Sequence, residues 1–186
     1  MIETILLAIV FAKIKGYKAR PLFKSWAIYP VLTFGLMYVI LEVMLFNGNY
    51  RFIKYSSTFH YLYFLTFLIL IIKYKLNVSA IIGSIFIFIG SALNSIVIAA
   101  NNGKMPVFPT LSYWTGYAKP DAFTKVNDIH ILGGDVTKLK FLTDIIDVGY
   151  SIMSIGDVCI RIFAFIIIFN TIKTVNKTKI VKIEAL

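Results

Sequence analysis

The sequence predicts an all-α integral membrane protein: a bundle of four to five transmembrane helices with one long ordered extracytoplasmic loop. Hydrophobic residues make up 59% of the 186 residues, whereas soluble proteins average about half. Charged residues make up only 15%, and most of the Lys and Arg flank apolar runs, as in membrane proteins. We find no internal repeat or low-complexity tract, so we predict a single polytopic membrane domain over residues 1–186.

Five apolar runs give the predicted spans. At 1.5 Å per residue, the second, fourth and fifth runs cross a hydrocarbon core of about 30 Å, whereas the third needs its flanking residues or a thinned bilayer. The first is an uncleaved short helix that either crosses or lies in the interface, with Lys13 and Lys15 reaching toward the headgroups. The spans are predicted at about 1–14, 26–46, 56–73, 77–100 and 150–172.

Basic clusters decide the predicted orientation. They are residues 13–24, the pair Lys73 and Lys75, and the tail at 173–186. One orientation places all of them in the cytoplasm, in agreement with the positive-inside rule. Arg51 and Lys54 in the opposite connection offset Lys73 and Lys75, so the first cluster and the tail decide the assignment. We therefore predict a multi-pass protein with a cytoplasmic C-terminus and an extracytoplasmic loop at 101–147.

The outer loop at 101–147 is predicted to be ordered. Its lysines and aspartates balance, so it has no net charge, and it is rich in aromatic residues. Disordered linkers have few aromatic residues, whereas aromatic side chains are enriched at the headgroups of a bilayer. We expect the loop to form a cap that rests on the outer headgroups. Its charged residues are Lys104, Lys119, Lys125, Lys138, Lys140, Asp121, Asp128, Asp135, Asp144 and Asp147.

Composition argues against several classes of site. The net charge of +10 follows from the basic flanks of the spans, so it does not indicate a nucleic-acid partner. The single cysteine, Cys159, excludes an internal disulfide and a CxxC metal or redox pair. Asp128, His130 and Asp135 are metal-ligand types, but such a trio arises easily by chance in a polar loop. The sequence has no phosphate-binding glycine loop, nucleophile elbow or HExxH motif, and we predict neither a metal nor a cofactor.

Polar residues on four predicted spans lie at similar depth below the outer surface, at about 5 to 14 Å. They are Glu42, His60, Asn94, Asp157 and Arg161. Ionised groups in hydrocarbon are costly unless they are paired or hydrated, and they often mark functional sites. Asp157 and Arg161 have i,i+4 spacing, so we expect an ion pair along one helix face. We predict a polar pocket that opens to the outer surface. The alternatives are a buried network that only fixes helix register and, for His60, a residue of the interfacial belt.

The fourth span carries small residues along roughly one face, where they allow close contact with another helix. This face contains Ser79, Gly83, Gly90, Ser91 and Asn94. We therefore expect Asn94 to point into the protein, toward the polar pocket.

Three stretches carry a resemblance to a known family: "GSALNSIVIAANNGKMPV", "NDIHILGGD" and "LTDIIDVGYSIMSIGD". They resemble an uncharacterised bacterial integral-membrane family, a domain of unknown function, with NGxMPV and SIGD motifs. The resemblance covers essentially the whole chain and implies a small helical protein of the bacterial cell membrane, but no reaction. It places four residues in shared motifs: Asn94, His130, Asp144 and Asp157. Asn102 opens the NGxMPV motif, whereas Glu42 and Arg161 match none.

A second likeness indicates a chemistry. Lipoprotein signal peptidases, which are intramembrane aspartyl enzymes, have one aspartate in an outer-loop VVDF-like motif and another in an NxADxxI-like motif at the start of the last helix. Here "LTDII" and "SIGDVCI" look similar in order and placement, which would make Asp144 and Asp157 a catalytic pair. Such a pair needs one ionised and one protonated carboxyl. The GNxxDR motif of that family is missing, because "ALNSIV" keeps only the asparagine, and the two aspartates are closely spaced.

The predicted function is non-enzymatic. We expect the outer-leaflet pocket to bind or sense a small or lipid-linked ligand, or the chain to act as a membrane subunit. The alternative is an intramembrane aspartyl hydrolase; a transporter is third, because we find no repeated halves. The expected partners are membrane lipid and a lipid-linked ligand or a membrane partner protein. The predicted ligand-binding residues are Glu42, His60, Asn94, Asn102, His130, Asp157 and Arg161.

Overall fold

The computed structural model describes residues 2–52, 55–119, 123 and 128–184. Met1, Lys54, Asp121, Lys125 and residues 185–186, which entered the predictions above, lie outside them. The helices are α1 Ile2–Ile14, α2 Arg20–Phe23, α3 Tyr29–Phe46, α4 Ser56–Tyr74, α5 Asn77–Ala100, α6 Leu111–Thr115 and α7 Ile155–Glu184, with 3-10 turns at Trp26–Ile28 and Lys140–Leu142. The strands are β1 Met105–Val107, β2 His130–Leu132, β3 Ile146–Asp147 and β4 Ile152–Met153.

The chain is an all-α membrane protein. Among the described residues, three helical segments are long and apolar enough to cross a membrane: Trp26–Phe46, Asn77–Ala100 and Ile155–Lys177. Thr58–Tyr74 is a shorter apolar helix. The 13 residues of α1 give a length of about 20 Å, which is less than a hydrocarbon core of about 30 Å. Backbone polar groups in hydrocarbon must bond within the segment, so long apolar runs such as these become helices.

The chain divides into two compact units. The first unit is Met1–Val39, Ser57–Phe86 and Arg161–Leu186. Its core is aromatic and aliphatic, and Phe67, Ile167 and Ile168 are fully buried in it. Gly83 of α5 faces Phe163 so closely that a Cβ at this position would overlap the Phe163 ring. The small residue therefore allows close helix packing, as predicted for this face of α5.

The second unit is Ile40–Ser56 and Ile87–Ile160, and it contains the described part of the long loop. Strands β1 and β2 pair in parallel, with Met105 opposite His130. Strands β3 and β4 form an antiparallel hairpin, and Gly149 between them has a φ of +85°, which favours glycine. These strands were not predicted, because two or three residues are too few to show an alternating pattern. They confirm an ordered loop in the residues described.

Within the second unit, α5 and the start of α7 are in close contact through glycine. A Cβ on Gly90 would overlap the carbonyl oxygen of Gly156, and a Cβ on Gly156 would overlap the side chain of Asn94. Gly90 and Asn94 were both predicted to lie on the contact face of α5. The two glycines therefore position the polar side chains next to them.

The last helix differs from the prediction at both ends. It begins at Ile155 rather than near residue 150, and it continues to Glu184 through the segment predicted as a tail. Its start is set by a hydrogen-bonded cap at Ser154, and its extension contains Lys, Thr and Ile residues that a helix accommodates at small cost.

Candidate functional site

Asp157 lies in the first turn of α7 and takes part in a capping box. The Ser154 Oγ accepts a hydrogen bond from the Asp157 N–H at 2.9 Å, and Asp157 Oδ2 accepts one from the Ser154 N–H at 3.1 Å. This reciprocal pair satisfies two backbone donors that helix formation leaves unpaired. The carboxylate also lies at the positive end of the helix dipole, where a negative charge is stabilised.

Asn94 of α5 joins this cap. Its Nδ2 donates to Asp157 Oδ1 at 2.9 Å, and its Oδ1 accepts from the Ser154 Oγ at 2.8 Å. Gly156 leaves the space that the Asn94 side chain occupies. Both oxygens of Asp157 therefore have donors, and the amide of Asn94 is bonded on both sides.

His130 on β2 is held by Asp128. Nδ1 of the imidazole is 2.8 Å from Asp128 Oδ2, and Lys104 donates to the Asp128 carbonyl at 2.9 Å. Burial acts to lower the pKa of His130, but the hydrogen bond to Asp128 and the negative charges of Asp128, Asp144 and Asp157 outweigh it and raise the pKa. The hydrogen bond from His130 lowers the pKa of Asp128, against the opposing effect of burial.

Asp144 is the most unusual side chain of the group. Only 4% of the residue is exposed, and Oδ2 is 3.7 Å from His130 Nε2. Oδ1 is buried and has no hydrogen-bond partner in the described part of the chain. The pKa of Asp144 is raised to about 7, mainly by burial and also by the negative charge of Asp157, while His130 acts in the opposite direction. This carboxyl therefore changes its protonation state far above the usual range of an aspartate.

Short strands bring these side chains together. Asp144 forms a bridge with Val107 of β1, whose other neighbour is β2 with His130. The Asp144 N–H donates to the Pro106 carbonyl, and the Phe108 N–H donates to the Asp144 carbonyl, at 3.1 and 2.9 Å. The β3–β4 hairpin then folds the chain back from Asp144 to Ser154. We call Asn94, Asp128, His130, Asp144, Ser154 and Asp157, all in the second unit, the Asp144 cluster.

The cluster has the chemistry of an acid–base or donor-binding site. Asp144 has a pKa of about 7, the pKa of His130 is raised, and charge couples each of them to Asp157. A buried carboxyl with a free oxygen accepts a donor such as an ammonium or a hydroxyl group. Among the described residues, no group of three His, Cys, Asp or Glu side chains is arranged to hold a metal ion.

Three predicted ligand-binding residues are not members of the Asp144 cluster as defined above. Glu42 is half-buried on the last part of α3, in the second unit. His60 belongs to the first unit, where Nδ1 is 3.3 Å from the Tyr38 hydroxyl. Asn102 is exposed and has a φ of +58° in the turn after α5. Asn tolerates this left-handed conformation better than most residues, so its position in the motif has a backbone explanation.

Arg161 corrects a prediction. Its guanidinium forms an ion pair with Glu3 of α1, and both residues belong to the first unit. The expected pair of Asp157 with Arg161 is wrong, because Asp157 takes its donors from Asn94 and Ser154 instead. Asp157 is occupied by the hydrogen bonds of the capping box. Arg161 lies in an apolar region, where a charge must be paired, and the carboxylate of Glu3 is its partner.

Sequence reasoning missed the roles of two other residues, Ser154 and Asp147. The S-x-x-D spacing of Ser154 and Asp157, directly before an apolar run, is a recognisable capping-box signal. Asp147 was noted only as a charge, yet its Oδ2 accepts from the Thr110 and Ser112 N–H groups at 2.6 and 2.8 Å. It thereby caps α6, and no local pattern predicts a contact across 35 residues.

Comparison with known proteins gives one match. No curated protein and no solved structure matches the chain. The model of a family of unknown function matches residues 20–169, a range that contains the whole Asp144 cluster. This confirms the resemblance to a domain of unknown function. The chain therefore belongs to the Family of unknown function (DUF5317).

Proposed function

We propose that the Asp144 cluster binds a small or lipid-linked ligand through a hydrogen-bond donor that the ligand presents to Asp144. The supporting observation is the buried Oδ1 of Asp144, which has no partner among the described residues. Nearly all buried polar atoms in proteins are hydrogen-bonded, and an unsatisfied one costs about 1 to 3 kcal/mol. A donor on a ligand removes this cost.

The charges of the cluster favour one chemistry of ligand. Asp128, Asp144 and Asp157 are acids, and the basic groups beside them are His130 and Lys104, both of which are hydrogen-bonded to Asp128. An anionic ligand would be repelled, whereas an ammonium or hydroxyl group forms a charge-assisted hydrogen bond with a carboxylate. We therefore expect the ligand to carry an amine or hydroxyl where it meets Asp144. A membrane partner protein that offers such a group is the alternative occupant.

The experiment is native mass spectrometry of protein purified in mild detergent. The wild type should carry a bound species that is lost in Asp144→Asn and retained in Asp135→Asn. Asp135 is the matched control, because it is an exposed aspartate of the same loop. The mass of the bound species distinguishes a small molecule, a lipid-linked molecule and a protein. A wild type with no bound species, or equal retention in both variants, would count against the proposal.

The proposed location of the site is the outer leaflet of a bacterial cell membrane, with the long loop outside and the C-terminus in the cytoplasm. The distribution of Lys and Arg supports this orientation. Cysteines placed singly at Val136, which is 94% exposed, and at Lys177, in a Cys159→Ser background, test it. A membrane-impermeant thiol reagent should label Val136→Cys in intact cells and spare Lys177→Cys. The reverse pattern would overturn the orientation.

A second candidate is an intramembrane aspartyl hydrolase. The observation that favours it is the electrostatic coupling of Asp157 to Asp144, whose pKa is about 7. A neutral carboxyl beside an ionised one is what such a mechanism needs. Asp144→Asn and Asp157→Asn should then each abolish cleavage of a membrane-anchored lipoprotein precursor, while Asp135→Asn cleaves normally. Failure of the wild type to cleave, or activity in either aspartate variant, would reject this candidate.

A further inference from the structure

The first unit carries a large excess of positive charge. Its acidic residues are Glu3 and Glu184, and Glu3 is paired with Arg161. The connection after α1, the end of α4 and the middle of α7 supply the cations. They are Lys13, Lys15, Lys18, Arg20, Lys24, Lys73, Lys75, Lys173 and Lys177; we call these residues the basic surface.

Hydrogen bonds hold these three segments together. The Asn176 side chain of α7 accepts from the Lys18 N–H at 3.0 Å and donates to the Lys18 carbonyl at 2.9 Å. The Ser25 Oγ accepts from Lys73 Nζ at 3.1 Å and from the Tyr74 hydroxyl at 2.5 Å. The connection is therefore fastened to α7 at one point and to the end of α4 at another. Its lysines and arginine are brought beside those of both helices.

Lys73 is the most fixed cation of the basic surface. Its Nζ lies 4.5 Å from the centroid of the Trp26 ring, in a cation–π contact, in addition to its bond with Ser25. Trp26 is 61% exposed, and Phe23 and Tyr29 beside it are also exposed. Exposed Trp and Tyr next to lysine are typical of the headgroup layer, where one part of the surface is apolar and the other polar.

We propose that the basic surface binds the phosphate group of an anionic phospholipid, with Lys73 as its central contact. The excess of cations attracts an anionic headgroup, and the exposed rings of Phe23, Trp26 and Tyr29 accommodate the apolar part of the same molecule. A phospholipid is the occupant because it combines both chemistries. This site lies in the first unit and is independent of the function proposed for the Asp144 cluster.

The test is lipid retention measured by native mass spectrometry from micelles that contain equal amounts of phosphatidylglycerol, which is anionic, and phosphatidylcholine, which is not. The wild type should retain phosphatidylglycerol in preference. Lys73→Gln should weaken this retention about fivefold, which corresponds to about 1 kcal/mol for one cation near a headgroup. Raising the salt concentration should weaken it as well.

Lys140→Gln is the matched control. Lys140 is also an exposed lysine in a cation–π contact, 4.4 Å from the Phe108 ring centroid, but it belongs to the second unit. This variant should retain phosphatidylglycerol like the wild type. If Lys73→Gln fails to fold, the exposed pair Lys24→Gln and Lys75→Gln replaces it with the same expectation. Equal retention of the two lipids by the wild type, or equal losses in the basic-surface variant and Lys140→Gln, would overturn the proposal.

Discussion

The side-chain amide of Asn94 donates a hydrogen bond to Asp157, with Nδ2 2.9 Å from Oδ1, and so links α5 to the first turn of α7. The same amide accepts a hydrogen bond from Ser154, the capping residue of that turn. One side chain thus connects a membrane helix to both members of a capping box. This contact fixes the position at which the chain leaves the loop and enters α7.

Asn94→Leu should destabilise the protein. The substitution removes one hydrogen-bond partner from Asp157 and one from Ser154. Loss of a hydrogen bond to a charged group lowers the free energy of unfolding by about 1 to 3 kcal/mol. Thermal unfolding in detergent measures the change.

Asn170→Leu is the control for this substitution. Asn170 is likewise a half-buried asparagine, on α7, but its Nδ2 donates to the carbonyl of Ile166 one turn earlier. That carbonyl is part of the backbone of the same helix, so removing the Asn170 amide should lower the stability only slightly. Equal destabilisation by both variants would show that the link between α5 and α7 contributes nothing specific.

Gly156→Ala should be strongly destabilising. A Cβ at this position would overlap Asn94 and the carbonyl of Gly90, and backbone atoms cannot move aside cheaply. Overpacking of this kind costs about 1 to 3 kcal/mol or more. Gly35→Ala, in α3, is the matched control, because nothing lies within 4 Å of its added Cβ. Alanine is the better helix former, so this variant should be neutral or stabilised in the same thermal assay.

The helices and part of the cluster could be predicted from the sequence. The extent of the fourth apolar run predicted the bounds that α5 has in the structure, 77 to 100. The similar predicted depths of Asn94 and Asp157 suggested that they are neighbours, and the two side chains are hydrogen-bonded. His130 and Asp144 were identified only through shared motifs, because a three-residue strand and a single bridge leave no periodic signal.

Arg161 shows why the rest was not predictable. Spacing along the chain offers only partners one turn away, and Asp157 was the acid at that distance. The actual partner, Glu3, is 158 residues away. Its choice depends on how α1 packs against α7, which local patterns do not contain.

Arg161→Leu should therefore destabilise the protein through Glu3. The two side chains are 17% and 26% exposed, and losing a hydrogen bond between charged groups costs about 1.5 to 3 kcal/mol. Adding Glu3→Gln should recover much of this loss, whereas adding Asp157→Asn should not. Thermal unfolding of the single and double variants decides between the partners. Recovery by Asp157→Asn alone would contradict the assigned pair.

The pH dependence of stability should report on Asp144. Its pKa rises from 3.8 to about 7 on folding, so between these values the folded state holds a proton that the unfolded chain has released. Stability must then fall as the pH rises from about 4 to about 7 and become level above that range. At 1.36 kcal/mol per pKa unit, the full change is roughly 4 kcal/mol.

Asp144→Asn should lack this component, because an amide does not titrate. The difference in unfolding free energy between wild type and variant should therefore shift against the wild type as the pH rises from 4 to 7. His130 also has a raised pKa, but it is present in both proteins. The difference between them therefore reports the titration of Asp144, together with the effect of Asp144 on the pKa of His130. Asp135→Asn, exposed and outside the cluster, should follow the wild type throughout. Parallel curves for wild type and Asp144→Asn would mean that Asp144 titrates like an ordinary surface carboxyl. That result would contradict the buried carboxyl, with an Oδ1 that has no partner among the described residues, on which the binding proposal rests.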